Sequence, residues 1–303
     1  MLVYDIQSLC KRYPGQTQLA NDHIDLSIEQ GEIFGILGDN GAGKSTLVKQ
    51  MANLMRPTSG QINLFGQPME QHVNVVASQV GYMPQSASAL NNLSVDEALY
   101  FTAHLRGLSR KEALRARDVA LEMWQLGPLR HIYSPRLSGG QQRLLQLAVA
   151  LVGLPPIVIL DEPTNELDPQ NRRLVWNNLR RLNSEHGITV IFITHDAIEA
   201  EKVIQRVAIM RAGKIVALGR PNDLKRSTDQ KFRLTLFFDP DTPPQLPSHI
   251  KINSIEPGRW LILFNRAELD DLLAHLKHTQ IDDFHIFSAT LEDLYLHYAQ
   301  QPK

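Results

Sequence analysis

Between the N-terminus and about residue 219, the apolar residues of this chain form short continuous runs separated by segments with helical periodicity. The clearest runs lie at 32–37, 80–83, 157–160, 189–194 and 207–210, and each has the length and composition of a buried β-strand. Strands that alternate with helical segments are typical of an α/β domain with a largely parallel core sheet. We predict that this first domain covers residues 1–220.

Helical periodicity dominates between the second and third of these runs. Residues 96–101 and 110–121 each place apolar side chains on one face of an amphipathic helix. We therefore predict a helical insert at about residues 90–150.

The pattern changes after residue 220. Apolar and polar residues alternate at 232–238, as in a half-buried strand, and a proline-rich loop follows at 239–244. The remaining predicted elements are strands at 260–264 and 281–287, a helix with the apolar face Leu269, Leu272, Leu273 and Leu276, and a closing helix at 291–298. These elements predict a small α+β C-terminal domain at residues 221–303.

The composition is that of a folded globular protein. Of the 303 residues, 43% are hydrophobic and 21% are charged, and the formal net charge is −1. Because there is no overall basic field, we expect no nucleic-acid partner. The single cysteine, Cys10, excludes an intramolecular disulfide and suits a reducing compartment, where we expect it to pack as a small buried hydrophobe.

Two further observations favour a cytoplasmic chain. The longest apolar runs, 157–160 and 188–193, are far shorter than the roughly 18 residues that cross a bilayer. Residues 1–10 lack the basic start and the apolar block of a secretory signal. We therefore expect the chain to stay in the cytoplasm.

Residues 38–45 read GDNGAGKS, the GxxxxGK[ST] pattern of a phosphate-binding loop, and they lie between a predicted strand and a predicted helix. Glycines in such a loop let backbone N–H groups come close to the phosphates of a nucleoside triphosphate. The Lys44 ammonium would reach the β- and γ-phosphates, and the Ser45 hydroxyl would ligate Mg²⁺. The predicted phosphate-binding residues are Gly38, Asn40, Gly41, Ala42, Gly43, Lys44, Ser45 and Thr46.

The predicted strand at 157–160 ends in two carboxylates, Asp161 and Glu162. The carboxyl ends of parallel strands form the ligand-binding edge of an α/β sheet. There Asp161 would hold Mg²⁺, and Glu162 would orient or deprotonate the water that attacks the γ-phosphate. An acidic helix start is the alternative for these two residues alone, but the nearby phosphate loop favours catalysis.

Taken with further motifs in the same order, these residues make the chain resemble the ATP-binding subunits of ABC transporters. Residues 137–141, LSGGQ, match the signature sequence of that family. The resemblance implies a P-loop ABC-type ATPase fold with a RecA-like core sheet, an antiparallel β subdomain and a helical subdomain. It also implies ATP and Mg²⁺ as cofactors and ATP hydrolysis as the activity.

The resemblance implies roles for four other residues. Gln85 resembles the Q-loop glutamine, which senses Mg²⁺ and the attacking water near the contact with the membrane subunit. His195 resembles the switch histidine that contacts the γ-phosphate. Tyr13 stands where the family stacks an aromatic ring on adenine, and Asp168 belongs to the segment that resembles the D-loop.

In the family, the signature residues close over the ATP that a partner chain binds. The residues implied to act in this way are Ser138, Gly139, Gly140 and Gln141. One cassette per chain then implies a dimer, with a second copy or with a homologous ATPase subunit. Because the sequence shows no membrane span, the resemblance also implies separate integral-membrane permease subunits, which would hold the chain at the inner face of the cell membrane.

Three positions depart from the usual sequence of the family. Glu166 replaces the small residue common in the D-loop, Val149 stands where many members have arginine, and Gln205 replaces an aspartate often found after the switch histidine. Only Glu166 bears on function, since a carboxylate near the second site would alter the coupling between the two ATPs.

Two segments bear on the direction of transport. Residues 289–296 and 93–99 resemble sequences of exporter-type cassettes for drugs, lipids, polysaccharides or peptides. Export is therefore the first hypothesis. An importer ATPase subunit is one alternative, and a soluble ABC ATPase acting on ribosomes or DNA is the other. The sequence leaves open the transported substrate, the choice between homodimer and heterodimer, and the role of the C-terminal domain.

Overall fold

The computed structural model describes residues 1–85, 90, 92–194, 201–227, 232–246, 250, 252–276, 281–287, 291 and 293–294. The chain divides into two compact units, Met1–Arg220 and Pro221–Lys303. Each unit has its own cluster of buried apolar side chains. Within the described ranges, no helix combines the length and the apolar composition needed to cross a bilayer.

The first unit contains ten strands and six α-helices within its described part. The strands are β1 (Leu2–Arg12), β2 (Leu19–Glu29), β3 (Ile33–Gly38), β4 (Ser59–Leu64), β5 (Gln67–Pro68), β6 (Val80–Met83), β7 (Ile157–Asp161), β8 (Thr189–Ile193), β9 (Arg206–Arg211) and β10 (Lys214–Gly219). The helices are α1 (Lys44–Met51), α2 (Val73–Gln79), α3 (Val95–Leu105), α4 (Arg110–Met123), α5 (Gly139–Leu151) and α6 (Pro169–His186).

A six-stranded sheet with the order β10-β9-β3-β8-β7-β6 forms the centre of this unit. All neighbouring strands run parallel except β10, which pairs antiparallel with β9. The strands β7 and β8 are buried along their whole length, and so is nearly all of β3. Burial on both faces explains why these strands are continuous apolar runs in the sequence. The predicted α/β fold with a largely parallel core sheet is confirmed.

A second, antiparallel sheet has the order β2-β1-β4-β5. Buried and exposed residues alternate irregularly along β1 and β2, and the pairing of these strands is interrupted by several register shifts. The residue pattern did not predict these strands. Only the family resemblance indicated an antiparallel subdomain.

The helices α3, α4 and α5 lie within the predicted helical insert. Each begins with a capping box, in which a serine hydroxyl and the side chain three residues later exchange hydrogen bonds with each other's backbone N–H. The capping serines are Ser94, Ser109 and Ser138. Such caps explain why the three helices begin where they do.

The second unit contains an antiparallel sheet with the order β12-β13-β11-β14. Its described elements are α7 (Pro221–Ser227), β11 (Phe232–Phe237), β12 (Ile252–Glu256), β13 (Arg259–Phe264), α8 (Leu269–Leu276) and β14 (Asp283–Phe287). Leu234 and Leu236 of β11 share a buried cluster with Leu272 and Leu276 of α8. The closing helix predicted at 291–298 lies largely outside the described residues.

Candidate functional site

The loop between β3 and α1 is shaped by close backbone contacts. Gly43 has φ 101°, and a Cβ at this position would collide with the carbonyl oxygen of Ala20, so only glycine fits here. The Asn21 side chain donates to the Gly43 carbonyl at 3.0 Å. The backbone N–H of Gly213 donates to the Ala42 carbonyl, also at 3.0 Å. Neighbouring segments thus hold the predicted phosphate-binding loop from two sides.

Lys44 begins α1 and is only 7% exposed. Its ammonium donates to the carbonyls of Gly38 at 2.6 Å and Asp39 at 2.9 Å. Burial lowers the pKa of Lys44, while the carboxylates of Glu162, Asp161 and Asp39 act in the opposite direction. The ammonium therefore lies within the loop, where phosphate oxygens would be stronger acceptors than carbonyls.

Ser45 and Asp161 meet at the carboxyl edge of the core sheet. The Ser45 hydroxyl hydrogen-bonds to the Asp161 carboxyl group, and Asp161 is 4% exposed. Burial raises the pKa of Asp161, and the Ser45 hydrogen bond partly offsets this effect. A hydroxyl and a carboxylate are ligands that Mg²⁺ prefers, and a divalent cation would compensate the buried charge. The pair therefore fits Mg²⁺.

Tyr13 lies beside the start of α1. Its phenolic oxygen is 3.1 Å from Oγ1 of Thr46, one of the predicted phosphate-binding residues. The ring is therefore close to the phosphate loop, and its stacking on adenine stays a prediction.

Glu162 follows β7 and has a left-handed backbone conformation, with φ 55°. A residue with a Cβ adopts this conformation at a cost of roughly 1–2 kcal/mol. Two hydrogen bonds support it, because the Glu162 N–H donates to the Ile193 carbonyl at 2.9 Å and the Asn165 N–H donates to the Glu162 carbonyl at 3.2 Å. Backbone strain of this kind is concentrated at functional sites.

Arg143, a residue that the sequence reasoning missed, connects these pieces. It lies on α5 and is 6% exposed. Its Nη1 donates to the Gln85 carbonyl at 3.0 Å. Its Nη2 donates to the Asp161 carbonyl at 2.7 Å and also to the Glu162 carbonyl. One guanidinium thus joins the three residues predicted to act on Mg²⁺ and the attacking water.

The environment of Arg143 is costly for a charge. Burial lowers the pKa of Arg143, and the carboxylates of Asp161, Glu166 and Glu162 act in the opposite direction. The signal in the sequence was a charged residue in a run of leucines, since Leu144, Leu145 and Leu147 of the same helix are all buried. Such a residue is rarely buried unless it is paired.

The signature residues lie at the start of α5. The Gln141 N–H donates to the Ser138 hydroxyl at 3.3 Å, and the Ser138 N–H donates to Oε1 of Gln141 at 2.9 Å. Ser138 and Gly139 are exposed, and Gly140 is half-buried. No hydrogen bond found in the described part of the chain joins these residues to the phosphate loop of the same chain. Their contact with a partner's ATP stays a prediction.

The segment that resembles the D-loop lies against the signature. Asp168 caps α6, and its Oδ1 accepts the backbone N–H groups of Gln170 and Asn171, each at 2.9 Å. The Asn171 N–H is the main cause of the lowered pKa of Asp168. Oε2 of Glu166 lies only 3.2 Å from the position that a Cβ on Gly139 would occupy. A carboxylate therefore lies beside the first signature glycine.

Three other predicted features are described only in part or not at all. Gln85 follows β6 and is exposed, and the chain immediately after it is not described. His195 lies outside the described residues, as does most of the segment at 289–296. Their roles stay predictions.

A phosphate loop between a buried strand and a helix, beside a Ser45–Asp161 pair at the carboxyl edge of a parallel sheet, defines a P-loop nucleotide-binding domain. Residues 21–165 match the ABC transporter family. The chain therefore carries the ATP-binding domain of an ABC transporter, and this domain is an ATPase.

Individual relatives agree with this assignment. The retinal-specific phospholipid-transporting ATPase ABCA4 of Homo sapiens is 29% identical over 313 residues, which cover 98% of this chain and 14% of that protein. The methionine import ATP-binding protein MetN of Cupriavidus metallidurans is 35% identical over 227 residues, covering 73% of this chain and 66% of that protein. The chain thus spans about a seventh of the longer relative.

Solved structures show the same fold. A dimeric post-hydrolysis state of the ATP-binding cassette MJ0796, bound to ADP and Pi, superposes with a TM-score of 0.67 at 25% sequence identity. The match covers 72% of this chain and 98% of that chain. The predicted ABC-type fold is confirmed.

Proposed function

We propose that the chain is the ATP-hydrolysing subunit of an ABC exporter and that it drives separate permease subunits through ATP-dependent dimerisation. The observation that carries the proposal is the convergence of Lys44, the Ser45–Asp161 pair and Glu162 at one edge of the core sheet. These groups match the parts that hydrolysis of a triphosphate requires: a phosphate cradle, a metal site and a group that orients water.

Each residue of the site would have a distinct task. The backbone of the phosphate loop and the Lys44 ammonium bind the β- and γ-phosphates. Ser45 and Asp161, with Gln85 nearby, would hold Mg²⁺, which neutralises charge on the phosphate oxygens when it is bound. Glu162 orients the attacking water and accepts its proton, and His195 contacts the γ-phosphate.

The exposed signature supports a site shared between two chains. The Ser138 hydroxyl accepts one hydrogen bond within its capping box, so its own proton is available to a phosphate oxygen of a partner's ATP. The exposed Gly139 offers no side chain that would keep a phosphate away. The similar cassette MJ0796 is dimeric in its post-hydrolysis state. We infer that Ser138 to Gln141 complete the site of a second copy or of a homologous subunit.

The extent of the matches favours export. The match to the phospholipid-transporting ATPase covers 98% of this chain and so extends through the second unit, Pro221–Lys303. The match to the methionine importer covers 73%. Phospholipids are therefore the first substrate class to test. Import is the second candidate function, because the methionine importer is 35% identical over 227 residues of this chain.

Two experiments test the proposal. The chain should co-purify from membranes with a polytopic permease and should be absent from ribosome and DNA fractions. Inside-out vesicles that contain this complex should translocate a fluorescent phospholipid only when Mg²⁺-ATP is supplied from outside. Import of methionine into right-side-out vesicles, with no lipid movement, would instead establish the importer.

A further inference from the structure

A cluster of three potential metal ligands lies on the hairpin formed by β1 and β2. Cys10 is buried, Asp22 is half-buried and His23 is exposed, and one ligand atom from each lies within 4.8 Å of the other two. Nδ1 of His23 is 2.7 Å from Oδ1 of Asp22. None of these residues belongs to the predicted ATP site.

An unusual backbone brings the three side chains together. In a regular strand, neighbours such as Asp22 and His23 point to opposite faces. Here His23 has φ 49°, and the pairing of β1 with β2 shifts register on both sides of Leu9. The irregularity places the imidazole beside the carboxylate, and the His23 N–H donates to Sγ of Cys10 at 3.3 Å. A cysteine, an aspartate and a histidine therefore share one side of the hairpin.

We propose that Cys10, Asp22 and His23 form a binding site for a thiophilic divalent cation, with Zn²⁺ as the first candidate. Zn²⁺ binds thiolate at about 2.3 Å and imidazole or carboxylate at about 2.0–2.2 Å, and its tetrahedral geometry places the ligand atoms about 3.3–3.8 Å apart. The three ligand atoms of the cluster lie within 4.8 Å of one another, so small side-chain movements would bring them to this spacing. Thiolate and imidazole select Zn²⁺ over Mg²⁺, which prefers oxygen ligands, so the site is distinct in chemistry from the Ser45–Asp161 pair.

The ammonium of Lys214 would compete with a metal ion for the Asp22 carboxylate. Nζ of Lys214 lies 3.2 Å from Oδ2 of Asp22, and the Lys214 side chain is 63% exposed. Hydrogen bonds from His23 and then Lys214 lower the pKa of Asp22. A bound cation would replace the ammonium as the counter-charge of Asp22, and the exposed lysine is free to move into solvent.

Two hydrogen-bonded routes connect the cluster to the phosphate loop. Asn21, the residue before Asp22, donates to the Gly43 carbonyl at 3.0 Å. The Asp22 N–H donates to the Gly213 carbonyl at 2.8 Å, and the Gly213 N–H donates to the Ala42 carbonyl. Because both routes start beside a metal ligand, binding of Zn²⁺ shifts the supports of the loop and weakens ATP binding. This consequence rests on the proposed ATPase function, whereas metal binding does not.

Cobalt provides the direct test, because a Co²⁺–thiolate bond absorbs in the near ultraviolet. The purified full chain, without nucleotide, should develop this band at one equivalent of Co²⁺ and lose it on addition of Zn²⁺. Cys10→Ser should abolish the band. His23→Ala, a change at an exposed position that leaves the core intact, should weaken binding by at least about tenfold.

Matched variants distinguish a specific metal site from non-specific metal binding at the protein surface. His285 also pairs with an aspartate, Asp283, at 3.2 Å but has no thiol within this pair, so His285→Ala should leave the titration unchanged. Lys214→Gln should strengthen Co²⁺ binding by up to about 30-fold, the effect in water of removing one unit charge about 4 Å from a divalent cation. Absence of the thiolate band in the wild-type chain, or an equal band in Cys10→Ser, would overturn the proposal.

ATPase assays at increasing Zn²⁺ concentration then test whether metal binding at the cluster affects the phosphate loop. The KM for ATP should rise in the wild-type chain and stay constant in His23→Ala. An equal rise in both would refute the link while leaving the site established by its spectrum. If the chain hydrolyses no ATP, the proposed function fails and the Co²⁺ titration still decides whether the site exists.

Discussion

Replacement of Arg143 by methionine tests whether this guanidinium positions the catalytic groups. Methionine keeps much of the side-chain volume but removes every donor to the carbonyls of Gln85, Asp161 and Glu162. A buried acceptor left without a partner costs about 1–3 kcal/mol. Only the hydrogen bond to the Asp161 carbonyl is fully buried, so we expect water to replace Arg143 at the other two carbonyls. Removal of the buried guanidinium charge also offsets part of the loss of stability.

The expected net loss of stability is about 1–2 kcal/mol. In a domain of this size, each kcal/mol lowers Tm by about 2–4 °C, so the melting temperature should fall by about 2–8 °C. The strained Glu162 backbone should relax once its carbonyl loses the hydrogen bond from Arg143. A displacement of about 1 Å in a catalytic group costs about 10²-fold in rate, so kcat should fall by about 10²-fold. The KM for ATP should change by less than about threefold, since Lys44 and the loop are untouched.

Arg106→Met is the matched control. Arg106 is a half-buried arginine, and it donates to the carbonyls of Ala150 and Val152, away from the phosphate loop. Burial lowers its pKa to about 10. This variant should lose a similar amount of stability and keep its kcat, and Arg143→Lys should recover part of the activity. Steady-state ATPase assays with thermal melts of all three variants give these values. A folded Arg143→Met variant with kcat within about threefold of wild type would refute the positioning role.

Two further predictions concern the site directly. Lys44→Ala should abolish ATP binding, because it removes the one positive charge of the described loop at residues 38–45. Equilibrium binding of a fluorescent ATP analogue measures this effect, and tight binding would contradict the loop assignment. Glu166→Ser should raise ATP-dependent dimerisation and turnover severalfold, because it removes the carboxylate beside Gly139 that would face a partner's triphosphate. Unchanged dimerisation by light scattering would show that this carboxylate does not affect coupling.

The core sheet could be predicted because its strands are buried on both faces. Val80–Met83 matches its predicted bounds, and the other four predicted core strands differ by one residue at one or both ends. The edge strand β10, whose residues are mostly exposed or half-buried, was not predicted. The strands β1 and β2 could not be predicted from their pattern. Left-handed residues at Ser8 and His23 shift the register and break the alternation that marks a half-buried strand.

The functional site, too, could be predicted only where its residues lie close together in the sequence. The phosphate loop and the carboxylates after β7 carry their chemistry within one short segment, so the sequence revealed them. The task of Arg143 depends on three backbone carbonyls that meet only in the folded domain, and a carbonyl leaves no trace in the sequence. Cys10 is buried as expected, but its neighbours Asp22 and His23 reach it through a backbone irregularity that composition does not indicate.

The central claim is that two chains close over two ATPs, and the most direct measurement is sedimentation of the Glu162→Gln variant with and without Mg²⁺-ATP. Removal of the general base should lower turnover by about 10²- to 10⁴-fold while ATP binding is retained. The variant should therefore be monomeric without nucleotide and dimeric with ATP, and a charge at the signature, as in Ser138→Arg, should abolish the dimer. A variant that binds one ATP per chain and stays monomeric, or that hydrolyses ATP at a near-normal rate, would contradict the account.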